Sequence, residues 1–150
     1  MELVAPCFHS GLVVEKVGVR NWLFREHLVY ETLLFGPPAP GRNTLIVLPK
    51  GSVVNFGSTP RILWTWLPPT GQYDWGTALH DGGYNGLLYA GRFVEGTLQL
   101  RSHIHLARHL CDKLMDEANE AVGVSERDRR ILYHGCRLFA GGAYHGARHA

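Results

Sequence analysis

The stretch 103–122, HIHLARHLCDKLMDEANEAV, carries apolar residues at Ile104, Ala107, Cys111, Leu114, Met115, Ala118 and Val122. These recur at the 3.6-residue period and form one continuous face, so the segment reads as a long helix packed on a core. Gly123 stops it. Ser125, with Asp128 three residues on, then opens another helix through Ile131, Leu132, Cys136 and Phe139 that ends at Gly141 and Gly142. On the N-terminal side, Asp74 is placed to cap a helix running through His80, Asp81 and Tyr84 to about Tyr89. Before that, Pro60 suits a first helical turn, and Ile62, Leu63, Trp64, Trp66 and Leu67 make a short apolar helix ended by Pro68 and Pro69.

Upstream of Pro60 the pattern changes. Segments 27–34, 44–48 and 52–56 are rich in β-branched and aromatic residues and read as short strands. The Gly-Pro-Pro-Ala-Pro-Gly segment at 36–41 lacks the donors that a helix or inner strand needs, and so forms a connector. Pro49, Lys50 and Gly51 make a tight turn. The expected class is α+β: a small N-terminal antiparallel sheet of short strands, then a C-terminal helical half of three to four packed helices. One domain is expected over 1–150, with 1–25 as an N-terminal extension, 26–58 strand-rich and 59–145 helical.

Composition narrows the partners. The formal charge is +2, and fifteen Lys and Arg are scattered among thirteen acids, which argues against a specific nucleic-acid interface. Cys7, Cys111 and Cys136 are odd in number and form no C-x-x-C pair, so neither a disulfide framework nor a thiolate zinc site is expected. Apolar runs such as 11–14 and 45–48 are far shorter than the roughly 20 residues of a membrane-spanning helix. Residues 1–6 carry no basic segment followed by an apolar one, so no secretory leader is expected, and synthesis in a reducing cytoplasm is the simpler reading.

The chemistry-bearing pattern is His80-Asp81 set against Asp112. Adjacent helical residues point about 100° apart, so the two side chains serve separate tasks. Tyr84 lies one turn on from His80, on the same face. Asp112 falls at the margin of the apolar stripe, beside Arg108 and Asn119. With the two helices antiparallel, it is placed to accept the Nδ1 proton of His80, leaving Nε2 as a base toward water. The competing reading is a satisfied polar pair inside a small core. Gly82 and Gly83 each cost a helix about 1 kcal/mol relative to Ala, which implies close approach by a backbone, a ligand or a packed helix.

Other groupings carry less. His105, His109, Asp112 and Asp116 share one helix flank at metal-ligating spacing, with His103 just before them, but the H-E-x-x-H order is missing and a solvated polar face is favoured. Ser58 stands in no G-x-S-x-G elbow and reads as a turn or cap. Trp64, Trp66, Tyr73 and Trp75 suit an apolar cleft, a stacking platform or an interface, with a packed core as the plain alternative.

Lys50-Gly51-x-x-x-Asn55-Phe56-Gly57-Ser58-x-Pro60-Arg61, Leu67-Pro68-Pro69-Thr70-Gly71-x-Tyr73 and Ala78-Leu79-His80-Asp81-x-x-Tyr84, continued by Asp112, Gly123-Val124, Arg129-Arg130 and Arg137-Leu138-Phe139, resemble an uncharacterised bacteriophage and prophage protein family over about Thr44 to Tyr144. Where that pattern has Asp, this chain has Asn55, which removes a negative charge from any cation site there. The segment from Leu88 to Leu100 is longer than the resemblance implies.

The His-Asp-x-x-Tyr helix with a later helix carboxylate is also distantly similar to phospholipase A-two enzymes. That resemblance implies His80 as base, Asp112 as its orienting partner and Asp81 as ligand of a divalent cation such as calcium, with carbonyls of the Gly71 loop reaching the ion, while Asn55 is the further candidate ligand from the phage-family block. The enzyme family's disulfides and fuller calcium loop are absent. Together the resemblances imply a virion-associated hydrolase acting on an ester, amide or phosphoester, with a lipid or cell-envelope substrate. The alternative is a non-enzymatic tail or baseplate protein that contacts other phage structural proteins.

Overall fold

The computed structural model describes residues 6–18, 21–36, 45–55, 63, 66–67 and 73–144. Five strands form one antiparallel sheet in the order β1 (Cys7–Phe8), β4 (Leu28–Glu31), β5 (Leu45–Leu48), β7 (Tyr89–Val94) and β8 (Thr97–His103). A second sheet joins β2 (Val14–Lys16), β3 (Trp22–Phe24) and β6 (Val53–Val54).

Alternation along the strands assigns the two faces of the larger sheet. Leu28 pairs with Leu48 and Tyr30 with Ile46, and these four enter the main core. Val29, Leu45 and Val47 point the other way into a smaller cluster with Tyr89 and Leu98. All four residues of β5 are buried, as befits the central strand.

The helices α1 (Asp74–Tyr84), α2 (Arg108–Ala121) and α3 (Glu126–Phe139) follow. Every residue of α1 from Gly76 to Tyr84 is buried, because this helix is enclosed by the sheet on one side and α2 on the other. Its glycines make that possible. A Cβ on Gly82 would lie 2.9 Å from Leu48 Cδ1, one on Gly83 2.7 Å from Cys111 Sγ, and one on Gly76 2.9 Å from the Met115 carbonyl. Helix packing is thus the close approach that Gly82 and Gly83 imply. Ser125 caps α3 by accepting the Asp128 N–H at 3.2 Å. Glu117 of α2 fastens that helix to the end of β4, accepting the Tyr30 and Thr32 hydroxyls at 2.7 Å each and the Leu33 N–H at 3.3 Å.

Three boundaries differ from expectation. Helix α1 stops at Tyr84 rather than Tyr89, since Gly86 at φ 69° turns the chain out and its neighbour Leu87 donates back to the Gly82 carbonyl at 2.8 Å. The next stretch is a β-hairpin, and its two-residue turn has Glu95 at φ 50° and Gly96 at φ 81°, the left-handed pair that tight hairpins favour. Accordingly His103 ends a strand, and α2 begins only at Arg108. The N-terminal extension is also part of the architecture: β1 edges the large sheet, while β2 and β3 make up most of the small one.

The expected helix at 62–67 lies outside the described residues except for Leu63, Trp66 and Leu67, where the last two donate to the Leu63 carbonyl at 3.0 Å. No described helix is long and apolar enough to cross a membrane.

Gly76→Ala tests the helix contact. The added methyl meets the Met115 backbone, so overpacking of about 1–3 kcal/mol outweighs a propensity gain of about 1 kcal/mol, and the urea midpoint falls. Gly142→Ala, with nothing within 4 Å of the added carbon, leaves the midpoint unchanged.

Candidate functional site

Helices α1 and α2 pack so that His80 meets Asp112, both 0% exposed. His80 Nε2 stands 2.6 Å from Asp112 Oδ1. The same oxygen accepts the Tyr84 hydroxyl at 2.7 Å, and the His80 and Tyr84 rings lie 4.1 Å apart. From α3, Arg137 Nη1 donates to Asp112 Oδ2 at 2.8 Å. A second guanidinium steadies this arrangement: Arg108 Nε donates to the Tyr84 oxygen at 3.1 Å, while its Nη2 reaches the Cys136 and Arg137 carbonyls at 2.5 and 2.8 Å. One carboxylate therefore joins three helices, and a row of donors runs from Arg108 through Tyr84 into it.

Electrostatics follow from that geometry. Burial is the largest influence on Asp112 and raises its pKa, yet the hydrogen bonds from His80, Tyr84 and Arg137 together outweigh it and hold the carboxyl below its usual value. Tyr84 is pushed strongly up, first by burial and then by its bond to Asp112, so its hydroxyl keeps its proton. Arg137 is raised by its bond to Asp112. Cys136 lies close by and is pushed up to about 12, mainly by burial, so it stays a neutral thiol.

The expected pair is thus brought together with one correction. The carboxylate meets Nε2 rather than Nδ1 of His80. Because Asp112 is ionised and accepts, Nε2 is the nitrogen that donates in this bond. Asp81 turns elsewhere: its Oδ2 accepts the backbone N–H of Asn55 at 3.2 Å, just beyond β6, so His80 and Asp81 do address different elements. Asn55 makes this contact with its backbone. Gly71, like Ser58, lies outside the described residues.

Calcium takes about six to eight oxygen ligands. Asp81 supplies a carboxylate that already accepts an N–H, and it joins no cluster of acids, histidines or cysteines among the described residues. Of the three expected ligands, Asp81 and the Asn55 backbone meet, and Gly71 lies outside the described residues. His103, His105 and His109 are exposed, while Asp112 is turned inward to His80 and Asp116 accepts from Arg129 at 3.4 Å, so the two carboxylates of the expected flank have other partners. The concave surface lined by Pro49, Lys50, Ser52, Leu87, Tyr89 and His103 includes none of the site residues.

Arg137 and Cys136 were not legible as site residues, since nothing in spacing tells which side of α3 meets α2. Arg108 offered a signal, standing one turn before Asp112 with its charge at the edge of an apolar stripe.

A carboxyl with a lowered folded pKa contributes stability above its unfolded value and loses it as pH falls through the folded one. The wild-type urea midpoint should therefore decline as pH is taken below about 4, and Asp112→Asn should flatten that part of the decline. At neutral pH the same substitution should destabilise by about 3–5 kcal/mol, as expected when a buried pair loses one partner.

No curated protein matches the chain, and no solved structure does. The pattern of the family described as "Protein of unknown function (DUF1353)" matches residues 37–136, two thirds of the chain, spanning α1, α2 and most of α3. The chain belongs to the DUF1353 family.

Proposed function

We propose that this chain is a phage-encoded hydrolase in which His80 activates water against a carboxylic ester, oriented by Asp112. The supporting observation is the carboxylate that accepts His80 Nε2, Tyr84 and Arg137 at 2.6–2.8 Å. A buried carboxylate so held fixes the imidazole tautomer, directs its basic nitrogen and stabilises the imidazolium formed in the reaction. In this reading the His80 imidazole takes a proton from water as the oxygen adds to the ester carbonyl, and the proton then passes to the departing alkoxide. Tyr84 and Arg137 act through Asp112 and are positioning residues. The phage origin and a place in the virion, beside other phage structural proteins, rest on the resemblance of the Lys50–Arg61 and Ala78–Tyr84 blocks. Asp81 is the residue that would hold a calcium ion, and the assay with and without calcium tests it.

A second reading has its own support. The complete burial of His80 and Asp112 suits an interior polar pin in a non-enzymatic tail or baseplate protein.

The test is hydrolysis of a short nitrophenyl ester and of phosphatidylcholine vesicles, each with calcium and with chelator. The hydrolase reading expects activity on at least one substrate and a fall of about 10²–10⁴ in kcat for His80→Gln, with the far-ultraviolet circular dichroism retained. An inactive wild type in all four conditions, or equal activity in His80→Gln, sinks it and leaves the interior pin.

A further inference from the structure

A second convergence of chemically active groups lies away from His80, on the opposite side of the large sheet. Cys7 of β1 pairs directly with Glu31 of β4, so their side chains share a face, and His9 follows two residues after Cys7. That face is the one carrying Val29 and Val47, turned away from the helices. The His9 N–H is fixed by the Val29 carbonyl at 2.9 Å, and its ring rests edge-on against Phe93 at 5.6 Å.

Cys7 Sγ lies 3.6 Å from His9 Nε2, and Glu31 Oε1 lies 3.6 Å from the same nitrogen. All three ligand atoms are within 4.8 Å of one another. The shared nitrogen is decisive. A thiol–imidazole–carboxylate relay needs the two partners on opposite ring nitrogens, whereas here both face Nε2, as they do around a common centre. Zinc bonds of about 2.3 Å to sulfur and about 2.0–2.2 Å to nitrogen and oxygen, at tetrahedral angles, place such atoms about 3.4–3.6 Å apart. The two separations at His9 Nε2 match this spacing, and the Cys7–Glu31 separation lies within 4.8 Å.

An independent observation points the same way. Among the described residues Glu31 Oε2 is buried and accepts no hydrogen bond, an unusual state for a carboxylate oxygen that a bound cation would relieve. The His9 side chain remains 34% exposed, so an ion can enter from solvent.

We infer that Cys7, His9 and Glu31 form a zinc-class divalent metal site with three protein ligands and one position left to solvent. The mixed sulfur, nitrogen and oxygen set selects a borderline-soft ion such as zinc over calcium or magnesium. Cys7 gives up its thiol proton to solvent as the metal–sulfur bond forms. All three residues precede the segment 37–136 that defines the family, so the site belongs to the N-terminal strands of this chain. By joining β1 to β4 it fastens the edge strand.

Titration of the full chain with Co²⁺, followed by Zn²⁺, tests this. One cobalt ion per chain with a thiolate-to-cobalt charge-transfer absorption, bleached by zinc, is the expected result. The absorption should vanish in Cys7→Ser, and His9→Ala and Glu31→Gln should each weaken cobalt binding beyond the roughly 10–100-fold cost of losing an outer-shell partner, with circular dichroism unchanged. Zinc should also slow alkylation of Cys7, since Cys111 and Cys136 are buried. Absence of the charge-transfer band from the wild type overturns the site. Its survival in Cys7→Ser does too, and assigns the metal to the His80, Asp112 and Cys136 group instead.

Discussion

The Asp112 carboxylate is the point on which three helices depend. It is fully buried, and it stays charged only because His80 of α1, Tyr84 one turn on, and Arg137 of α3 all donate to it. Removing water from a carboxylate is costly, so the arrangement is stable only when every donor is in place. That requirement sets the register of α1 against α2 and the rotation of α3. Arg108 extends it by binding carbonyls at the end of α3 while bracing Tyr84. A polar centre of this kind is demanding, and it tolerates few alternative packings.

Enclosure of α1 is the other half of the constraint. A helix buried from Gly76 to Tyr84 lets its neighbours approach only where side chains are missing. Gly82 receives Leu48 from the sheet and Gly83 receives Cys111 from α2, bringing α2 near enough for a carboxylate to reach the imidazole. The glycines that weaken the helix locally are what bring the polar centre together. Glu117 repeats the device on a smaller scale, tying α2 to β4 through two hydroxyls and a backbone donor.

Legibility followed the range of the interactions. The apolar stripe from Cys111 to Ala118 and the Ser125 cap are local signals: α3 formed where its cap indicated, and α2 formed over this stripe, starting at Arg108 rather than His103. The His80–Asp112 pairing was readable because Asp112 sits at the edge of that stripe. Which nitrogen it meets depends on the ring's rotation between packed helices, and periodicity does not encode that. The hairpin from Tyr89 to His103 was missed because Glu95 carries a positive φ, which its residue type does not announce, and because His103 and Ile104 continue the helical period by coincidence. The sharing of Cys7, His9 and Glu31 was equally hidden, since the pairing of β1 with β4 joins segments more than twenty residues apart.

Nitrogen-15 correlation spectra of the histidine rings, with His80 assigned through His80→Gln, address the central claim most directly. A proton resident on Nε2 and strongly deshielded by its short bond to Asp112 is the predicted signature. A His80 ring protonated at Nδ1 alone would contradict the account, because the carboxylate would then face a nitrogen with nothing to donate.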